Sequence, residues 1–247
     1  MGTIQVTFLG SGDAFGAGGR LQPCILVRHL AGMFLIDCGA SAMISLRRYG
    51  VDPNGLDFVL ISHLHGDHFG GIPYLILDGQ LVSKRTKPLV LAGPPGLETR
   101  WNVLTEASFP GATAVRRQFA VETRELAAGT PAFFGPVRVE PFPVAHMPHD
   151  PCYAYRIAVD GRTIAYTGDS EWADAIVSAG READLLIAEA YYRDKKIRNH
   201  LDYAALREHL PAIKAGRVVI THMSAGFDPA VEGVECDYAE DGLTLEI

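Results

Sequence analysis

Three imidazoles and a carboxylate, His63, His65, Asp67 and His68, fall within six consecutive positions of the run Ile61-Ser62-His63-Leu64-His65-Gly66-Asp67-His68-Phe69-Gly70-Gly71. Neutral imidazole nitrogens and carboxylate oxygens are the donors that hold zinc, manganese or iron in mixed sites. The run follows the apolar stretch Phe58-Val59-Leu60-Ile61, which reads as a buried strand. Residues 63 and 65, two apart at a strand end, point the same way, and Gly66 lets the chain turn before Asp67 and His68. The spacing predicts two adjacent pockets, one entered by His63 and His65, the other by Asp67 and His68. With nine histidines in 247 residues, chance explains such a cluster poorly.

Four more polar residues stand where apolar runs stop: Asp37, His146, Asp169 and His222. Singly, each has an ordinary explanation. His146 reads as a satisfied histidine and Asp169 as a helix cap. Asp37 has two equal readings, an acceptor that orients a metal-ligating imidazole or the N-cap of a helix over residues 40–49. Their recurrence at positions 37, 63, 146, 169 and 222 places side chains along one rim of a layered sheet, where active sites sit.

Strand patterns cover residues 3–9, 24–28, 33–36, 58–61, 89–92, 184–188 and 217–220, with two or three more strands within 115–145. Asp160-Gly161 marks a hairpin between 152–159 and 163–167. Helix patterns cover 40–49, 72–79 and 201–215, and Pro94-Pro95 opens another that runs to about residue 109. The glycine-rich stretch 10–19 lacks a following Rossmann or P-loop signature and reads as a loop at the rim of a site. The basic stretch 191–200 reads as a solvated face. The tail, 242–247, is expected to close a sheet edge.

No linker or low-complexity tract divides the chain, so a single domain over 1–247 is expected. Apolar residues make up 48% and charged residues 21%, the balance of a soluble globular enzyme. The formal net charge of −7 argues against an extended nucleic-acid surface and leaves room for a small anionic substrate drawn by bound metal. The start lacks a signal-peptide pattern and no apolar run is long enough to span a membrane. A cytoplasmic protein is expected, as monomer or homodimer, with Cys24, Cys38, Cys152 and Cys236 as small apolar residues rather than disulfides.

The stations at 37, 63–68, 146, 169 and 222 resemble, in order and over nearly the whole chain, the signature of the metallo-β-lactamase fold superfamily. That resemblance implies an α/β fold, a four-layer αβ/βα sandwich with a binuclear metal site on one edge. It implies that His63, His65 and His146 bind one ion, that Asp67, His68 and His222 bind the other, and that Asp169 bridges them. The opening Phe8-Leu9-Gly10-Ser11-Gly12 and the stretch His200-Leu201-Asp202-Tyr203-Ala204-Ala205 look like the ribonuclease Z branch. In that branch the histidine matching His200 acts beside the metals. The branch also holds small phosphodiesterases, including that of the carbon–phosphorus lyase pathway. Ribonuclease Z carries a long tRNA-clamping arm between the stations matching 146 and 169, whereas 22 residues, 147–168, intervene here. The expected function is therefore hydrolysis of a small or cyclic phosphodiester by a metal-bridging hydroxide.

Asp67 would orient the nucleophile, and His200 would stabilise charge or protonate the leaving oxygen. Two divalent ions are expected, Zn2+ foremost, with Mn2+ or Fe as alternatives. The rival functions are hydrolysis of a thioester or lactone, ribonuclease Z-type cleavage of tRNA, and a non-hydrolytic metal or redox module.

Overall fold

The computed structural model describes residues 3–247. Strands β1 (Gln5–Gly10), β2 (Cys24–His29), β3 (Gly32–Ile36), β4 (Leu56–Leu60), β5 (Leu89–Gly93) and β6 (Val121–Glu125) lie side by side in that order. A second sheet holds β7 (Ala132–Phe134), β8 (Val137–Val144), β9 (Cys152–Val159), β10 (Arg162–Tyr166), β11 (Leu185–Glu189), β12 (Arg217–Thr221) and β13 (Asp237–Tyr238). The last strand, β14 (Thr244–Glu246), returns to the first sheet and pairs antiparallel with the edge of β1, closing it as expected for the tail. In each sheet three antiparallel pairings give way to three parallel ones: β3 to β6 are parallel in the first, β10 to β13 in the second.

Period-two alternation builds the layers. Phe34, Ile36, Phe58 and Leu60 point between the sheets, where they meet Tyr155, Ile157 and Ile187. The rings of Phe34, Phe58 and Phe134 stack there, with centroids 4.4 and 4.5 Å apart. Leu35, Val59 and Ile61 point the other way, against helices α1 (Ala42–Arg48), α3 (Ile72–Leu81) and α4 (Leu97–Ser108) through Leu46, Ile72 and Trp101. Helices α5 (Asp174–Gly180) and α6 (Tyr203–Ile213) cover the second sheet in the same way, burying Ile176, Leu206 and Ile213 against Leu186 and Ile220. Between α1 and α3 lies the one-turn helix α2 (Gly66–Phe69), and α7 (Pro229–Glu232) is equally short. The result is the α/β four-layer sandwich that the sequence implied.

Element ends differ from expectation for local reasons. The fourth helix begins at Leu97 because Gly96, at φ 92°, turns the chain after the two prolines. Helix α6 begins two residues late because Asp202 caps it, its side chain accepting from the Ala205 amide. The segment 115–145 resolves into three strands, β6, β7 and β8. All four cysteines are free, and three are buried. Among the described residues no helix is long and apolar enough to cross a membrane.

Parallel pairing sends the ends of β3 and β4, and of β10, β11 and β12, to one rim. The loops after β3 and β4 meet there backbone to backbone. A Cβ on Gly39 would lie 2.2 Å from the Asp67 carbonyl oxygen, and one on Gly71 would lie 2.3 Å from that of Gly39. Glycine is what allows the histidine run to dock on the loop carrying Asp37.

Candidate metal centre

His63, His65 and His146 form the first donor group. Nδ1 of His65 lies 3.2 Å from Nε2 of His63 and 2.9 Å from Nε2 of His146, so three ring nitrogens converge on one point. The outer nitrogens show why these inner ones are free. His146 Nδ1 donates to the Asn199 carbonyl oxygen at 2.6 Å. His63 Nδ1 donates to Ser62 Oγ at 3.1 Å, and that hydroxyl gives its own hydrogen to Asp37 Oδ2 at 2.9 Å. The rings of His63 and His146 are thereby fixed with their lone pairs facing the cluster. Burial, followed by the neighbouring His68, holds the His63 imidazole well below its ordinary value, and burial with His146 lowers His65. Both are neutral at physiological pH, the form that ligates metal.

Asp67, His68, Asp169 and His222 form the second group, all buried. Nε2 of His68 is 3.3 Å from Asp67 Oδ2 and 3.3 Å from Asp169 Oδ1. Nε2 of His222 is 3.3 Å from Asp67 Oδ2 and 3.4 Å from Asp169 Oδ2. Burial alone would raise the two carboxyls, but His68 and His222 more than offset it, so both stay ionised well below the usual carboxylate range. His68 Nε2 makes no hydrogen bond although fully buried. An orphaned imidazole nitrogen aimed between two carboxylates fits a cation far better than a polar core. Asp169 touches both groups, since its Oδ2 is also 4.0 Å from His146 Nε2. The buried clusters suit a divalent metal site.

Asp37 resolves in favour of the orienting role. Helix α1 starts at Ala42 with Ser41 at its N-cap, so Asp37 caps nothing. Its fully buried carboxylate accepts from His68 Nδ1 at 2.7 Å, Tyr166 Oη at 2.8 Å, Ser62 Oγ at 2.9 Å and the Ser62 amide at 2.7 Å. To reach them Asp37 adopts φ 58°, and His222 adopts φ 60°. Left-handed backbone at two non-glycine residues costs roughly 1–3 kcal/mol each and persists where the surroundings enforce it. Asparagine tolerates that conformation, so Asp37→Asn keeps the backbone while removing the acceptor charge. The expected outcome is a metal affinity about 10- to 100-fold weaker by chelator competition. Unchanged affinity would reduce Asp37 to a folding residue.

Sequence reading passed over one residue that the structure places in the site. Glu189 ends β11 at 1% exposure. Its Oε2 accepts from the amides of Ser170 at 2.9 Å and Leu201 at 3.1 Å, its Oε1 is hydrogen-bonded to His200 Nδ1, and His222 Nδ1 lies 3.5 Å away. The available signal was a carboxylate at the end of the wholly apolar strand 185–188, the same signal given by Asp169. Burial would lower the His200 imidazole, but its hydrogen bond to the Glu189 carboxylate prevails and raises it. His200 is 22% exposed at the edge of the cluster, 3.9 Å from Asp169 Oδ2.

Tyr191 stacks on His200 with centroids 4.6 Å apart. Burial, with the negative charge of Asp13 nearby, pushes its phenol up to about 12. The Asp13 carboxylate accepts from the amides of Phe15 and Ala17 within the glycine-rich loop.

Solved structures share this fold along their whole length. The metallo-beta-lactamase fold protein YhfI from Bacillus subtilis is similar at TM-score 0.79 and 24% identity, covering 98% of this chain and 99% of that one. Human tRNase Z, short form (ELAC1), is similar at TM-score 0.78 and 26% identity, covering 98% of each. A diphosphatase from the PhnP family is similar at TM-score 0.80 and 21% identity, over 99% of this chain and 98% of that one. Among curated relatives, ribonuclease Z of Brevibacillus brevis is 28% identical over 98% of this chain and 90% of its own. The family model described as Anti-Pycsar protein Apyc1 matches residues 4–240, a span that takes in strands β1 to β13, the helices and both donor groups. On that match the chain belongs to the Anti-Pycsar protein Apyc1 family, with the metallo-β-lactamase fold.

Proposed function

We propose that this protein is a binuclear metal-dependent hydrolase acting on a small or cyclic phosphodiester. The observation that carries the reading is the pair of donor groups joined by Asp169, with the His200–Glu189 pair standing beside them and outside both. His63, His65 and His146 would hold one divalent ion, Asp67, His68 and His222 the other, and Asp169 would contact each. Zinc suits this nitrogen and oxygen donor set best, and manganese or iron would also be accepted. When bound, such ions lower the pKa of a coordinated water toward ~7 and neutralise charge on phosphoryl oxygens.

The chain's own groups supply the rest. Asp67, ionised and hydrogen-bonded by His222 at 3.3 Å, keeps an oxygen free to accept a proton from the attacking water and so aims it. His200 donates the proton that the leaving oxygen needs, and Glu189 keeps that imidazole protonated and in place. Asp37 fixes the ring of His68, and the Asn199 carbonyl fixes that of His146.

A small substrate is supported by the 147–168 segment. It is used up by the β9–β10 hairpin and its flanks, leaving no projecting arm to grip a folded RNA. The matched relatives include ribonuclease Z enzymes and a PhnP-family diphosphatase, and hydrolysis of a bond to phosphorus is the reading that joins them.

The test is a substrate panel on metal-loaded protein: bis-p-nitrophenyl phosphate, a cyclic nucleotide, a thioester and a lactone. Turnover is expected on the phosphodiesters, at least about tenfold above that on either carbonyl compound. Preferred turnover of the thioester or lactone would reassign the same centre to acyl chemistry.

A further inference from the structure

One carboxylate serves both donor groups, and a single hydrogen connects it to the farther one. Asp37 Oδ2 is reached by His68 Nδ1 at 2.7 Å, Tyr166 Oη at 2.8 Å and Ser62 Oγ at 2.9 Å, while Oδ1 receives the Ser62 amide at 2.7 Å. Ser62 Oγ in turn stands 3.1 Å from His63 Nδ1 and 3.5 Å from His68 Nδ1. His68 is thus bound to the carboxylate directly, and His63, in the other donor group, only through the serine. Asp37, Ser62, His63 and His68 are each at 0% exposure and Tyr166 is at 3%, so these groups must satisfy one another.

Ser62 is not free to turn away. Its amide donates to Asp37, its carbonyl accepts from the Tyr153 amide at 3.0 Å, and its Cβ would meet a Cβ on Gly168 at 3.1 Å. A hydroxyl has one hydrogen to give. The carboxylate has none and takes that one, so Ser62 Oγ accepts from His63. The His63 ring must then carry its proton on Nδ1 and leave Nε2 bare toward His65.

We infer that Asp37 sets the tautomer of His63 through Ser62, which makes Ser62 a positioning residue and places one ligand of each donor group under the same carboxylate. The inference rests on the metal-site reading above, in which the bare Nε2 of His63 is a ligand atom. In Asp37→Asn the direction of the chain reverses. The Ser62 amide requires an oxygen at the position of Oδ1, so the asparagine NH2 takes the place of Oδ2. That NH2 donates to Ser62 Oγ, and the hydroxyl gives its hydrogen to His63 Nδ1. The ring keeps the same number of protons but carries its own on Nε2, where it faces the cluster and blocks ligation. A substitution two hydrogen bonds away from His63 thereby disables the group to which His63 belongs.

Imidazole 15N spectra of the metal-free protein read the tautomer directly, with His63 assigned by its loss in His63→Gln. His63 is expected to carry its proton on Nδ1 in wild type and on Nε2 in Asp37→Asn. Without the hydroxyl there is no route from residue 37 to the ring, so Ser62→Ala and the double variant Ser62→Ala/Asp37→Asn are expected to show the same tautomer as each other. Zinc titration by chelator competition gives the second readout, the first-group step being the one lost in His65→Ala. Asp37→Asn and Ser62→Ala are each expected to weaken that step about tenfold or more. The double variant is expected to be no weaker than the weaker single variant, because both break one link, whereas independent losses would multiply to about a hundredfold. A proton retained on Nδ1 in Asp37→Asn, or losses that multiply, overturns the proposal. Failure of wild type to hold zinc at the first group removes the metal-site reading, and the spectra of the metal-free protein still decide whether Asp37 sets the His63 tautomer.

Discussion

Asp169→Asn is expected to reduce bound metal from two ions to at most one per chain and to lower kcat by at least about 10³-fold, the scale of losing an electrostatic stabiliser of the transition state. Its two oxygens reach both donor groups, lying 3.3 Å from His68, 3.4 Å from His222 and 4.0 Å from His146. Asparagine keeps the shape and one acceptor oxygen but removes the charge that two cations would share. It also leaves the buried imidazoles of His68 and His222 with less negative charge to face, so some loss of stability of the metal-free protein accompanies the loss of metal. Elemental analysis after dialysis reads the first effect and steady-state turnover the second. Two retained ions would show that the groups are held separately and that Asp169 does not join them.

His200→Ala is expected to keep full metal content and lose about 10²-fold or more in turnover on phosphodiesters, the contribution of a general acid. Glu189→Gln separates the acid from its support. The Glu189 carboxylate raises His200, so the protonated form persists to higher pH than in an isolated imidazole. Removing the carboxylate lowers that value, and the alkaline limb of the rate profile moves to lower pH while the acid limb stays in place. A uniform fall in rate with no displacement of the limb would make Glu189 a structural residue. Wild-type turnover in His200→Ala would take His200 out of the reaction.

The histidine run was legible because its donors are adjacent in sequence, and adjacency needs no knowledge of the fold. His146, Asp169 and His222 were legible as a set, from their shared place at strand ends and from the superfamily pattern, while each alone looked like an ordinary cap or surface histidine. Asp37 could not be decided because a carboxylate after a strand and before a helix serves equally as cap or acceptor. The distance of 2.7 Å to His68 decides it. Glu189 carried the same strand-end signal as Asp169 but matched no station of the superfamily pattern, and so went unread. The Asn199 carbonyl was beyond reach altogether, since a backbone acceptor leaves no trace in residue type. The layers followed from alternation along β3 and β4, and the helix ends slipped by two or three residues wherever a glycine or an aspartate set the first turn.

The claim on which the rest depends is that this fold holds two cations side by side. The most direct measurement is metal content per chain, by elemental analysis of protein stripped with chelator, reloaded with excess zinc or manganese and freed of unbound ion. The expected result is two ions per chain, falling when a residue of either donor group is replaced. One ion or fewer per chain under saturating metal would contradict it.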